Sequence, residues 1–228
     1  ENNQARTAFF SSMSHDIRTP MNGIIGMTTI AQAHLNEPEK VADCLDKISV
    51  ASQHLLDLIN EVLDMSRIES GKISLKNSIG ADQDISSLYL IADVLVLVKP
   101  DLTKKQQTLH IRSSALIYDT VIGDILHLQK ILLNLLSNAV KYTPPEHDLT
   151  IGVREEICSE NKINVIFTME DTGIGMTPEF LSRIFTPFER AQDSRISQIS
   201  GTGLGMAITK NIVDMMSGTI QVESQVGV

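Results

Sequence analysis

His15, Asp16 and Thr19 place an imidazole, a carboxylate and a hydroxyl within little more than one helical turn, and Pro20 follows directly. His15 stands two residues from both Met13 and Ile17, so at about 100° per residue it lies about 200° from each, opposite the apolar seam they mark. The spacing predicts an exposed imidazole. Such a ring is a usable nucleophile near neutral pH, and the adjacent Asp16 carboxylate could orient it and accept its proton. Thr19, four residues on, shares its face. One surface histidine is also ordinary decoration. What changes the context is Pro20, which removes an amide from a helix that otherwise continues and is expected to bend the backbone one turn after the histidine.

Between His127 and Tyr142 a second group appears. Leu128, Ile131, Leu132, Leu135 and Ala139 form one apolar helix face, while Lys130, Asn134, Asn138 and Lys141 recur at steps of four, four and three along another. Asparagine is a poor helix former, so two of them stacked in a leucine-rich helix need a reason. Magnesium supplies one, because it takes oxygen ligands and needs few from the protein when nucleotide phosphates provide the rest. One amide oxygen beside a lysine suits a metal triphosphate. A solvated helix face is the plain alternative.

Two glycine clusters follow, Asp171-Thr172-Gly173-Ile174-Gly175 and Gly201-Thr202-Gly203-Leu204-Gly205. A Rossmann fingerprint needs a third glycine where this chain has Pro178 and Met206, and Gly71-Lys72 lacks the upstream glycine and following Ser/Thr of a P-loop. The first cluster follows a strand-like run, so Asp171 sits at a strand end where it could accept from a purine amine while the glycines admit close backbone approach. The second opens a helix, whose exposed amides and dipole suit a phosphate. Either cluster alone reads as a turn; both, in order after the asparagine stripe, read as a nucleotide site.

These residues need elements to hold them. The stripe Phe10, Met13, Ile17, Pro20, Ile24, Met27, Ala31 steps by three and four, and Val41, Leu45, Ile48, Ser52, Leu55, Ile59, Val62 repeats the spacing after a break at Asn36-Glu37-Pro38, running out near Ser70-Gly71. Two long helices in a hairpin result. Their narrow seams cannot bury enough alone, so a four-helix bundle made by two chains, a homodimer, is expected. Beyond Gly71 the pattern becomes α+β, with strands expected at 73–79, 108–113, 149–157, 163–170 and 219–223 and helices at 86–98, 123–142, 178–184 and 206–216. The expected domains are 1–72 and 73–228.

Composition narrows the function classes. At 228 residues the chain is about 1.5 times a typical domain of about 150 residues, and 42% hydrophobic with 21% charged residues is a globular balance. A formal charge of −9 repels phosphate backbones, which argues against a nucleic-acid partner. The two cysteines, Cys44 and Cys158, form no CxxC, so neither a disulfide framework nor a zinc site is expected and a cytoplasmic location fits. No run reaches the roughly 18 apolar residues of a spanning helix, so no membrane contact is expected of this segment. The chain reads as an excised portion of something longer, the full-length form of which could be membrane-anchored.

Ser14 to Pro20 resembles the H box of sensor histidine kinases of two-component signalling, Asn134 to Lys141 their N box, and Asp171 to Gly175, Phe185 to Phe188 and Gly201 to Gly205 their G1, F and G2 boxes, in the family's order. The resemblance covers essentially the whole chain. It implies a dimerisation and histidine-phosphotransfer domain at 1–72 and a catalytic ATP-binding domain of the Bergerat type, an α/β sandwich, at 73–228, with a final strand missing after Val228. By resemblance His15 is the phosphoacceptor and Asp16 its general base; Asn138 is the magnesium ligand, Asn134 and Lys141 its phosphate-side neighbours and Asp171 the adenine-reading carboxylate. Gly173 and Gly175 belong to the same adenine-site loop. Gly201, Gly203 and Gly205 border a mobile ATP lid over roughly 176–200, anchored by Phe185 and Phe188.

Three departures stand out. Asp16 replaces the family's common glutamate, His127 its frequent arginine, and Ser200 a frequent glycine. The implied activity is transfer of the γ-phosphoryl of Mg-ATP to His15 and then to an aspartate of a response regulator receiver domain. Asp16 and Thr19 also match the acid-x-x-Thr pattern of kinases that dephosphorylate their regulator. The rivals are an ATP-gated ATPase of the same nucleotide fold without histidine phosphorylation, and an ATP-binding dimeric scaffold.

Overall fold

A computed structural model describes residues 2–69, 83–114, 116–118, 120–159, 162–189 and 202–227, with backbone alone for 2–12, 15 and 67–69. The chain divides into two compact units, Glu1–Lys72 with Ser200–Leu204 and Ile73–Ile199 with Gly205–Val228.

The first unit holds α1 (Asn2–Ala33) and α2 (Pro38–Glu69). Between them the chain turns through His34 N–H to Ala31 O (3.1 Å) and Glu37 N–H to His34 O (2.8 Å), and Pro38, whose fixed φ suits a first helical residue, opens α2. The α1 seam is the inward face: Pro20 is buried and Met13, Ile17, Ile24, Met27 and Ala31 are half-buried. From α2 the buried residues are Cys44, Leu58 and Met65, which recur at multiples of seven as in a coiled coil. Helix α1 continues through Pro20, whose missing amide deprives the Asp16 carbonyl of its helical donor. Leu45 and Ile59, expected on the α2 seam, are instead 57% and 41% exposed in the single hairpin, and Ile25 at 60%, Leu56 at 53% and Leu63 at 49% also stay outside.

In the second unit, β1 (Gln83–Ile85) pairs antiparallel with β3 (Val121–Gly123), and β2 (Thr108–Ser114) runs parallel to β4 (Asp148–Ser159), which pairs antiparallel with β5 (Lys162–Asp171). The sheet order is therefore β2-β4-β5. Helices α3 (Ser87–Lys105), α4 (Ile125–Tyr142), α5 (Pro178–Leu181) and α6 (Gly205–Met215) complete the unit. Leu90, Val94, Val98 and Leu102 of α3 meet Leu132, Leu136, Ala139 and Val140 of α4 and Leu149 of β4 in one core, so helices cover one face of a mixed sheet.

The structure departs from several expectations. Residues 219–223 are not a strand, because no sheet ladder takes them up; the segment instead meets the Gly175 loop through Ser224 and Gln225. The expected strand at 73–79 lies outside the described residues. Helix α3 runs past 98 to Lys105, carrying Pro100 inside it; the carbonyl that loses its donor belongs to Val96, at a position 71% exposed and open to water. Helix α5 is one turn, shorter than 178–184. The short β1 and β3 were not anticipated. In α4 Leu132 and Leu136 are fully buried while Leu135 is half-buried, so the core takes the leucine about 100° on from the expected one.

One buried carboxylate organises the edge of this unit. Glu155 on β4 is 3% exposed, and its Oε2 accepts from the amides of Ile117 (2.7 Å) and Tyr118 (3.0 Å). A buried charge is tolerated when it is hydrogen-bonded, and here it pins the connection before β3. Replacing it removes the acceptor of two amides at once. Glu155→Leu is expected to lower stability by about 1 to 3 kcal/mol, read as a lower denaturation midpoint at unchanged slope.

Candidate functional site

The site is built around α4. Its N-cap is Asp124, buried, whose Oδ1 accepts from the His127 amide (3.2 Å) and whose Oδ2 lies 2.7 Å from His127 Nδ1. His127 thus pairs with the cap of its own helix through both its amide and its ring. Capping fixes where the helix starts and so the direction in which its polar stripe points.

That stripe is half-buried rather than solvated: Lys130, Asn134, Asn138 and Lys141 all have intermediate exposure. Asn134 Nδ2 donates to the buried Thr209 hydroxyl on α6 (2.7 Å), and Asn138 Nδ2 makes a weak contact with Met206 Sδ (3.8 Å). Lys141 Nζ stands 5.1 Å from the Tyr142 ring centroid, a cation–π distance. Gly205 opens α6 against the same stripe, where a Cβ would overlap Asn134 Oδ1. The two asparagines therefore lock α4 to the first turn of α6, which brings the amide-rich start of one helix beside the amide side chains of the other.

Asp171 ends β5 and is exposed, with Oδ1 accepting from the Gly173 amide (2.9 Å). One carboxylate oxygen thus shapes the loop that follows. A Cβ on Gly173 would stand 2.5 Å from that oxygen and 3.0 Å from Tyr142 O, so the loop lies directly on the end of α4. Gly175 has φ +67°, and a Cβ there would overlap the Gln225 carbonyl. Thr172 Oγ1 donates to Asp148 O (3.2 Å), Met176 N–H to Ser224 Oγ (2.9 Å) and Gly227 N–H to Ile174 O (3.3 Å).

Gly203 has φ +73°, as a glycine turn before a helix requires, and Gly201 lies outside the described residues, as do residues 190–200 of the expected lid. Phe185 and Phe188 are half-buried, Phe188 with φ 70°. His15 lies in α1, and its expected exposure falls outside the described side chains; Asp16 is half-buried and Thr19 exposed on the same helix.

Two polar residues the sequence did not single out act on the end of α4. Lys105 Nζ donates to the carbonyls of Val140 (2.8 Å), Lys141 (2.8 Å) and Thr143 (3.1 Å), and the buried Gln107 Nε2 to those of Val140 (3.1 Å), Thr143 (2.7 Å) and Pro144 (3.1 Å). Burial pushes the Lys105 ammonium below the ordinary lysine range. Basic residues in the last turn of α3 were the only hint, and they point equally to that helix's own dipole.

Two family models match the chain: the His Kinase A (phospho-acceptor) domain over residues 5–71, and the Histidine kinase-, DNA gyrase B-, and HSP90-like ATPase over 123–228. The sensory/regulatory protein RpfC of Xanthomonas campestris is 36% identical over 219 residues, covering 96% of this chain and 29% of the relative. The autoinducer 2 sensor kinase/phosphatase LuxQ of Vibrio harveyi is 33% identical over 225 residues, 98% of this chain and 25% of the relative. The chain thus spans less than a third of the length of these curated relatives. Among solved structures, full-length ShkA in complex with AMPPNP matches with TM-score 0.66 and 27% identity, over 95% of this chain and 42% of that one.

The tightest backbone approach in the site gives a direct test. Gly175→Ala must carry a side chain at positive φ and displace the Gln225 carbonyl, so it is expected to lower the melting temperature and to weaken nucleotide binding at least tenfold, checked by calorimetric unfolding and titration.

Proposed function

Since the chain belongs to the sensor histidine kinases of two-component signalling, as their transmitter core, we propose that it transfers the γ-phosphoryl of ATP to His15 and from there to an aspartate on a response regulator receiver domain. The observation that carries the reading is convergence on one helix. The start of α6 meets the asparagine stripe of α4 and the Asp171 to Gly175 loop meets its end, as two faces of one nucleotide site would. The AMPPNP complex of ShkA supports the same assignment of the site to a nucleoside triphosphate.

Residues 1–72 act as the dimerisation and phosphotransfer domain and 73–228 as the catalytic domain. Phosphoryl transfer asks the protein mainly to position the reactants and neutralise charge. One nitrogen of the His15 ring forms the bond to phosphorus as the β,γ-bridging P–O bond breaks and ADP departs with that electron pair; Asp16 takes the proton from the other nitrogen. The pair Asp16 and Thr19 also serves dephosphorylation of the regulator, in keeping with the kinase/phosphatase named among the relatives. Asp171 reads the adenine amine, with Gly173 and Gly175 admitting the ring.

Magnesium fits the donor chemistry: Asn138, whose Nδ2 is turned to Met206 Sδ, carries an amide oxygen, and a nucleotide-bound ion takes few protein ligands and many from phosphates. Asn138 would hold it, with Asn134, Lys141 and the glycines Gly201, Gly203 and Gly205 serving the phosphates, and the ion would neutralise charge on the γ-phosphoryl. Exposed Ile25, Leu45, Leu56 and Leu63 favour a homodimer, since a second hairpin would cover them. No helix among the described residues is long and apolar enough to cross a membrane. The free thiols of Cys44 and Cys158 accord with a cytoplasmic placement.

Incubation with γ-labelled ATP should give an acid-labile, base-stable product, and His15→Gln should abolish labelling while leaving nucleotide affinity unchanged; label persisting on that variant removes His15 as acceptor. Asp171 should prefer ATP over GTP by roughly ten- to hundredfold, because the guanine carbonyl would face an acceptor. Asp171→Asn should lose ATP affinity and narrow that gap. If the carboxylate only shapes the loop through Gly173, both affinities fall alike with the melting temperature and the ratio stays put.

A further inference from the structure

The last carbonyls of a helix lack partners in its regular ladder, and in α4 each finds a donor. The Ala139 carbonyl accepts from Thr143 N–H (3.0 Å). Those of Val140 and Lys141, with Thr143 and Pro144 beyond the helix, are taken by Lys105 and Gln107. Tyr142 is the exception in this run. Its carbonyl accepts from the Ile174 amide (3.4 Å) and lies 3.0 Å from where a Gly173 Cβ would stand. The carbonyl that the two side chains leave alone is thus the one on which the Asp171 to Gly175 loop rests.

We infer that Lys105 and Gln107 are positioning residues for the nucleotide loop, acting through the Tyr142 carbonyl. An ammonium offers three donors without an acceptor, and it meets three carbonyls. The Gln107 amide nitrogen faces three more carbonyl contacts, an arrangement only a donor tolerates, while its Oε1 is buried without a partner. Both groups come from the end of α3 and the turn after it, where Gln106 adopts φ 55° between them. By drawing neighbouring carbonyls to one side they hold the intervening Tyr142 carbonyl toward the loop. Loop and stripe then keep a fixed separation, because both are built on the same helix end. A cap that only stabilised α4 would need fewer donors and would have no bearing on Ile174.

The consequence for ATP rests on the proposed function; the positional statement does not. Lys105→Met should raise amide exchange at Ile174 in the nucleotide-free protein by about tenfold and weaken ATP binding by about tenfold, with turnover at saturating ATP within about twofold. Lys105→Arg, which keeps charge and donors, should restore most of both. Gln107→Met, of similar size but without the donor, provides a second reading should Lys105→Met fail to fold. A folded variant of either position that loses melting temperature while Ile174 exchange matches the parent overturns the inference and leaves a plain helix cap. If exchange rises while the parent itself binds no ATP, the positioning stands and the nucleotide reading falls.

Discussion

A helix ends in carbonyls that its own backbone cannot satisfy, and how α4 resolves that constraint shapes the rest of the catalytic unit. Its apolar side is committed to the core through Leu132, Leu136, Ala139 and Val140, so the helix cannot rotate to seek water. Partners must therefore come to it. Thr209 and Met206 come from α6, Lys105 and Gln107 from the end of α3, Ile174 from the loop after β5, and Asp124 from its own N-cap. Each partner belongs to a segment that, in a nucleotide site, would touch a different part of the ligand or support one that does. Meeting the helix's polar needs and assembling the site are one operation.

The hairpin unit obeys another logic. It buries Cys44, Leu58 and Met65 on a seven-residue period, yet leaves apolar side chains on a second face. An apolar face of this kind on a hairpin is what the proposed second copy would cover. Where α1 carries His15 it also carries Pro20, so the carbonyl of the next residue, Asp16, loses its helical donor.

Much of this was legible in the residues because the informative ones are chemically out of place. Asn134 and Asn138 oppose helix propensity in a leucine-rich stretch, and Asp171 with Gly173 and Gly175 opposes strand continuation; both readings met elements where expected. The seam of α1 was legible because a long period averages out local errors. Three things were not. The three-residue β1 and β3 are too short to show a period. Residues 219–223 have strand composition, but a strand exists only where another edge receives it. Lys105 and Gln107 act on carbonyls more than thirty residues away, and no spacing rule reaches from the end of one helix to the end of another. The displacement of Leu136 over Leu135 shows how one residue of phase decides which leucine the core takes.

Strand β4 sits in the middle of the sheet, and its two neighbours are reached by unequal routes. It joins β5 through a short connection, so that ladder closes with little loss of chain entropy, whereas β2 lies on the far side of β3 and all of α4. During folding, then, the β4–β5 hairpin can form as soon as its residues are available, but the parallel ladder with β2 must wait until α4 has folded across. Since Lys105 and Gln107 immediately precede β2, their grip on α4 and the arrival of β2 at β4 belong to the same late step. The contacts that Lys105 and Gln107 make with the end of α4 are therefore expected among the last, and a partly folded chain has the β4–β5 hairpin before it has them.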